Sequence, residues 1–304
     1  MEIERLPGPI GARIEGVDLA DGISDSDWEV VAPIWAERHL LVLPDQPHLS
    51  TVDQVALLDR IGPVIEERMP GELHSFVSNA AGHGTDDMTP GYLEGELTAH
   101  MDYTYTPFPA EAISLYAVEL PETGSETRFY SNVAPLDRMP ASLRQELEGY
   151  SIFCAHDLAR MKPDVQLYLD GRTDPDAPTQ SHVWPMVREH PRKPGVMVLG
   201  CTLQQTERVI ELSDEADGDA ASRALLERIF DQYLYVPENE YIHRWRPGEL
   251  VVWDNLALQH ARSACPTSHG ARTFRRVASC ASGNAIQATV EFLELADASV
   301  AFSG

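Results

Sequence analysis

The sequence is short of lysine, thiols and long apolar runs. Lys162 and Lys193 are the only lysines, so 21 of the 23 basic residues are arginines, set against 48 acidic residues for a formal net charge of −25. No block of Lys/Arg occurs. A polybasic anchor is therefore excluded, and both nucleic acid and the membrane surface, themselves polyanions, are disfavoured as partners. The four cysteines (Cys154, Cys201, Cys265, Cys280) are far apart and form no CxxC pair. That spacing fits neither a disulfide framework nor a zinc-thiolate site, and suits reduced thiols in a cytoplasmic protein. No apolar stretch approaches the roughly 18 residues of a membrane span. The opening MEIERLPGPIG has no apolar core, so no signal peptide is expected. Internal repeats, Gly-rich phosphate loops and a β-α-β alternation are also missing.

What remains is a chain of 304 residues with an ordinary globular composition, long enough for one large domain or two small ones. Asp25-Ser-Asp27 precedes an apolar-periodic run and predicts a capped helix. Ser50 with Asp53 resembles a capping box ahead of a second helix over Val55–Ile61. Pro140–Tyr150 and Ala221–Leu234 read as further helices, the latter with Leu225, Leu226, Ile229, Phe230 and Leu234 on one face. His39–Pro44, Ile113–Leu120, Thr127–Ser131, Val196–Leu199, Tyr241–Trp245, Glu249–Trp253 and Arg275–Ala281 read as strands. Many short strands with few helices predict a mainly β fold, a sandwich or barrel core with flanking helices. Residues 65–98 and 157–185 are rich in Gly, Pro, Asn and Asp and read as irregular insertions.

Three features carry chemistry. In His100-Met-Asp102 the two side chains lie two residues apart, on one face if the segment is extended, and could take adjacent positions on a divalent metal. Alone, such a pair is as readily a surface histidine beside an acid. His260, in WDNLALQHARS, would complete a face of two imidazoles and one carboxylate that leaves three metal positions open. The third feature is a gap in the acidity. Between Asp254 and Glu291 there is no Asp or Glu, where roughly six are expected, yet Arg262, Arg272, Arg275 and Arg276 all fall inside. Either these form a solvated basic face, or they build a pocket where a planar guanidinium grips a small dianion.

With these residues in view, the sequence resembles the taurine dioxygenase-like family of Fe(II)- and 2-oxoglutarate-dependent oxygenases. The resemblance runs from about Ile10 to Ser279 through IGARIEGVDLADGIS, HLLVLPDQ, AHMDYTYTPFPAEAISLYAVELPETGSET, HVWPMVREHP, HRWRPGELVVWDNLALQH and RTFRR, in the family's order and near its spacing. It implies a double-stranded β-helix (jelly-roll, cupin-like) core in a single domain over residues 1–304. It also implies His100, Asp102 and His260 as iron ligands, with Arg272 and Thr127 on the distal carboxylate of 2-oxoglutarate. Arg276 matches the arginine that in the taurine enzyme holds the substrate sulfonate. Trp253-Asp254-Asn255 matches a structural turn.

The substrate side departs from the taurine enzyme. Glu96 stands where that enzyme has an amide, and EERMPGELHSF lacks its His-x-x-Tyr arrangement, which puts taurine itself in doubt. Glu96 could instead meet an amine or hydroxyl, and Tyr103, Tyr105 and Phe108 could line the substrate or simply pack.

The resemblance implies Fe(II), 2-oxoglutarate and O2 as cofactor and co-substrates, and hydroxylation or desaturation of a small molecule carrying an anionic group. Succinate and CO2 would be released. Asp102 argues against halogenation, for which the family replaces this carboxylate with a small residue. HRWR, DNLALQH and RRV also resemble isonitrile-processing desaturases that tailor amino-acid-derived metabolites. Rival classes are a zinc-type hydrolase or isomerase on the same face, and a non-catalytic binding protein on the same scaffold. The expected partner is a small molecule, with no nucleic acid and no membrane, in a homodimer or homotetramer.

Overall fold

A computed structural model describes residues 1–20, 22–66, 71–83, 93–155, 181–213 and 219–280. Most of the 157–185 insertion, and parts of that at 65–98, lie outside the described residues.

Two facing sheets form the centre. The larger holds β1 (Glu2–Arg5), β2 (Ala12–Glu15), β3 (Leu40–Leu43), β4 (Ser75–Ser78), β6 (Ala112–Glu119), β14 (Leu250–Asp254) and β16 (Thr273–Ser279), in the order β1-β2-β3-β14-β6-β16-β4. The smaller holds β5 (Leu97–His100), β7 (Thr127–Ser131), β13 (Glu240–His243) and β15 (Leu258–Arg262), in the order β13-β7-β15-β5. Side chains alternate across a strand, so the central strands of the larger sheet feed two cores. Leu40, Val42, Val251, Trp253 and Phe274 face the smaller sheet, joining Phe129 and Leu258. Leu41, Leu43, Leu250, Val252 and Val277 face the opposite way, onto helices α1 (Asp25–Arg38) and α2 (Thr51–Asp59). Burial on both faces explains why HLLVLP and LVVW read as unbroken apolar runs.

Both helices start as the sequence suggests. Ser24 caps α1 by accepting from the Asp27 amide, and Ser50 with Asp53 closes a full capping box on α2. His39 ends α1 in the left-handed conformation, with φ of 61°.

A third core sits beside the sandwich. It collects α3 (Ala134–Arg138), α4 (Ala141–Leu147), the sheet β12-β8-β9 (Thr206–Val209, Ser151–Ala155, Ser181–Pro185), the pair β10 (Val187–Glu189) and β11 (Met197–Leu199), and α5 (Ala220–Ile229). The helix expected over Ala221–Leu234 stops at Ile229 and widens into a π-type turn over Phe230–Leu234. The irregular reading of 65–98 missed β4, which pairs with β16, and β5, which pairs with β15. No helix among the described residues is long and apolar enough to cross a membrane.

Candidate active site

The smaller sheet assembles the site. β15 runs between β5 and β7, and His260 at its centre stands opposite both His100 and Phe129. Cross-strand partners share a face, so two histidines 160 residues apart in sequence become neighbours, with ring centroids 4.2 Å apart. His260 thus lies within a strand, Leu258–Arg262, that the sequence reading had not marked. Asp102 sits just past the end of β5, with Oδ1 3.3 Å from His100 Nε2 and 3.9 Å from His260 Nε2. The three ligand atoms all lie within 4.8 Å of one another, and this is the metal-competent group found among the described residues.

Local contacts fix the donor set. His100 Nδ1 donates to the Thr98 carbonyl at 2.8 Å, which turns Nε2 toward Asp102. His260 packs against the Trp253 ring at 4.9 Å, and its Nδ1 is buried without a hydrogen-bond partner. Burial, reinforced by the cations nearby, pushes the His260 pKa down to about 3, so the imidazole is neutral. Burial alone would raise the Asp102 pKa. Arg276, His260 and His100 outweigh it and hold the carboxyl well below the usual carboxylate range. Arg276 Nη1 donates to Asp102 Oδ2 at 2.7 Å. Two imidazoles and an ionised carboxylate suit a divalent cation.

The loop carrying Asp102 is held from behind. Asn255 Oδ1 accepts from the Asp102 amide at 2.9 Å, while its Nδ2 donates to the carbonyls of Asp102 and Ala110 at 3.0 and 2.8 Å. The preceding Asp254 accepts from the amides of Leu256 and Ala257, and binds His190 and Lys193. The Asp254-Asn255 turn is therefore structural, and Asn255 does more than the sequence reading assigned it. Tyr103, next along the chain, has φ of 62°. It is half-buried against the central core, edge-on to Tyr105.

Two residues along the same sheet face lies a second cluster. Arg262 on β15 stands opposite Thr127 on β7, about 7 Å from the row of His260. Trp245 Nε1 donates to Thr127 Oγ1 at 2.9 Å, and the Trp245 ring meets Phe274 with centroids 4.5 Å apart. The Arg272 guanidinium lies 4.3 Å over Phe274. Arg272 is 4% exposed and its Nε is buried without a hydrogen-bond partner. No carboxylate among the described residues pairs with it. Burial first, then the neighbouring Arg262, pushes its pKa down to about 9. A cation in that position is stabilised by an incoming anion.

The four arginines of the acid-free stretch therefore do not share one pocket. Arg262 and Arg272 lie together, Arg276 turns to Asp102, and Arg275 points to the other face, donating to Gln54 Oε1 and the Leu49 carbonyl. Glu96 is exposed, just before β5. Trp245 and Asn79 were not singled out by sequence reasoning, and Asn255 only as part of a turn, because their roles depend on partners far along the chain. Asn79 Oδ1 accepts from the Arg272 amide at 2.7 Å.

The profile of the family described as "Taurine catabolism dioxygenase TauD, TfdA family" matches residues 2–278. The chain belongs to this family. Its relatives include the (S)-phenoxypropionate/alpha-ketoglutarate-dioxygenase of Sphingobium herbicidovorans, 28% identical over 271 residues, covering 85% of this chain and 88% of that one. Pentalenolactone F synthase of Streptomyces avermitilis is 27% identical over 283 residues, covering 87% and 89%. The crystal structure of AAD-2 in complex with Mn(II) and N-oxalylglycine shares the fold, with a TM-score of 0.72 at 22% identity, covering 92% of this chain and 96% of that chain. A taurine dioxygenase structure from Burkholderia xenovorans aligns with a TM-score of 0.68 at 19% identity, covering 92% and 89%. As a TauD/TfdA-family member the protein is an oxidoreductase, a 2-oxoglutarate-dependent dioxygenase that uses Fe(II) and O2. Its core is the jelly-roll expected from the sequence.

Proposed function

We propose that His100, Asp102 and His260 hold the iron, that Arg272 and Thr127 hold 2-oxoglutarate by its distal carboxylate, and that the enzyme hydroxylates or desaturates a small anionic molecule. The observation that carries this reading is a two-histidine, one-carboxylate group on the smaller sheet beside a second cluster in which the buried Arg272 has no carboxylate partner among the described residues. A five-carbon diacid would have one end at the metal and the other at Arg272. Bound there, Fe(II) with 2-oxoglutarate and O2 supplies the oxidising chemistry, releasing succinate and CO2 as a substrate C–H bond is hydroxylated or desaturated.

The protein's own contribution is placement and charge. The bond from His100 Nδ1 to Thr98 turns Nε2 toward Asp102. Asn255 fixes the backbone of Asp102. Trp245 occupies one lone pair of Thr127, whose hydroxyl proton is then left for an acceptor. A zinc-type hydrolase would have no use for this second, cationic cluster.

Arg276 is the candidate for the substrate's anionic group. The guanidinium carries five donors in a planar fork, so it can serve both Asp102 and a carboxylate or sulfate. The names of several relatives point to acidic substrates: phenoxypropionate, 2,4-dichlorophenoxyacetate and a sulfate ester. Tyr103 would form a wall of the same site, with Glu96 at its rim. The four free, buried thiols support a reducing, cytoplasmic setting. A single domain over residues 1–304, working as a homodimer or homotetramer, completes the reading.

An anaerobic spectroscopic titration with Fe(II) and then 2-oxoglutarate tests the site, followed by a screen of small acids for substrate-dependent succinate release. The wild type should bind one iron and one 2-oxoglutarate. Arg272→Ala should raise the 2-oxoglutarate KM roughly a hundredfold, about 3 kcal/mol, and Arg276→Ala should raise mainly the KM of the primary substrate. Wild-type protein that binds iron but no 2-oxoglutarate would sink the proposal. The reverse pattern in the two variants would exchange the roles of the arginines.

A further inference from the structure

The two halves of the anion clamp come from different strands. Thr127 opens β7, and Arg272 immediately precedes β16. What joins them is an aromatic pair. The Arg272 guanidinium covers Phe274, Phe274 meets Trp245 at an interplanar angle of 59°, and Trp245 donates its indole N–H to Thr127. All four side chains are buried, at 4%, 0%, 7% and 3% exposure along that path. Trp245 is itself wedged. The His243 ring stands perpendicular to it at 4.6 Å, and His243 is held by Glu249 at 3.0 Å and by the Tyr241 hydroxyl at 3.1 Å.

We infer that Trp245 is a positioning residue for 2-oxoglutarate, and that the Trp245–Phe274 pair sets the geometry of the whole clamp; this rests on the functional reading above. An indole N–H can only donate, so Thr127 Oγ1 must accept from it. The threonine proton is thereby turned away from Trp245, and the hydroxyl faces a ligand as a donor. A carboxylate oxygen satisfies it and an ammonium does not. Phe274, between Trp245 and Arg272, keeps the guanidinium in step with the hydroxyl. Trp245 touches neither metal ligand nor substrate in this scheme. Its removal should weaken recognition of the distal carboxylate and leave the rest of the site intact.

The test is a double-mutant cycle on the iron-loaded full-length enzyme, read as the dissociation constant of 2-oxoglutarate under anaerobic conditions. Trp245→Phe should weaken binding about fivefold and Thr127→Val about tenfold. The double variant should be no weaker than Thr127→Val alone, because the indole acts through the hydroxyl. Binding of 2-oxovalerate, which has the same chain length and no distal carboxylate, should be unchanged in Trp245→Phe. A merely structural role would weaken both 2-oxo acids alike. Additive losses, or wild-type affinity in Trp245→Phe, would overturn the inference while leaving the functional reading standing. Failure of the wild type to bind 2-oxoglutarate would overturn both. Should Trp245→Phe not fold, Phe274→Leu carries the test: it loosens the indole without removing it and should weaken 2-oxoglutarate two- to threefold, and an unchanged value rejects the brace.

Discussion

Two aspartates lie close together in this fold, each set between imidazoles and a cation. Asp102 faces His100, His260 and Arg276, and Asp254 faces His190 and Lys193, with His39 on the far side of the lysine. Their residue types hardly differ, but their hydrogen bonds do. Asp254 is 3% exposed, and its oxygens take two backbone amides, an imidazole and an ammonium. Lys193 also donates to His39 Nδ1 at 2.8 Å. Asp102 is 21% exposed at the side chain, and its Oδ1 points at two imidazole nitrogens. A closed ion cluster stabilises a turn; an open one with converging lone pairs attracts a cation. Saturation of the acceptors separates the two functions, and composition does not.

The sharpest way to break the distinction is to remove a residue from each cluster. His260→Ala should abolish iron binding and turnover, measured by metal titration and oxygen uptake, while the iron-free protein melts within a few degrees of wild type. Asp254→Asn should do the reverse. It leaves Lys193 buried without its carboxylate, so denaturant unfolding should show a loss of about 3–5 kcal/mol, with one iron still bound per folded chain. If Asp254→Asn instead loses iron at full stability, the division of labour is wrong.

Asn255 joins the two clusters, and its truncation sharpens the picture. Asn255→Ala leaves the Asp102 amide and two carbonyls unmatched. Stability should fall by about 1–3 kcal/mol and iron affinity by roughly 10- to 100-fold, the usual range for a group that orients a ligand.

The smallest effect concerns pH. Burial, then the Lys193 charge, pushes His39 down to about 4, so the folded protein resists a proton that the unfolded chain accepts below about 6.5. Stability should therefore fall as pH drops from 6.5 toward 4, by about 1 kcal/mol over the first unit. His39→Asn keeps an acceptor for Lys193 and tolerates the positive φ, and should flatten that slope in iron-free protein. An unchanged slope would place the titrating group elsewhere.

The sequence showed some of this more plainly than the rest. LVVW was legible as a strand because both of its faces are buried, and Ser50/Asp53 as a cap because a capping box is local. SFVS was not, being four residues set among glycines and prolines. His100, Asp102 and His260 were found by residue type and family resemblance, yet their convergence depends on the pairing of β5 with β15. The acid-free stretch drew attention to Arg272 and Arg276, but nothing local reveals that they face different clusters. Arg276 meets an aspartate 174 residues away. Trp245 is a core aromatic, and only its hydrogen bond to Thr127 sets it apart.

The register that places His100 directly across from His260 has a consequence for folding. No fragment of the chain contains the metal site, because its ligands close a loop of about 160 residues. Iron cannot nucleate the fold locally; it can only select chains in which β15 has already entered the sheet. The metal then acts on the folding equilibrium from the folded side alone, adding about 1.4 kcal/mol for each tenfold excess of free iron over its dissociation constant. Bound at His100, Asp102 and His260, iron would therefore stabilise the folded chain as well as supply its chemistry.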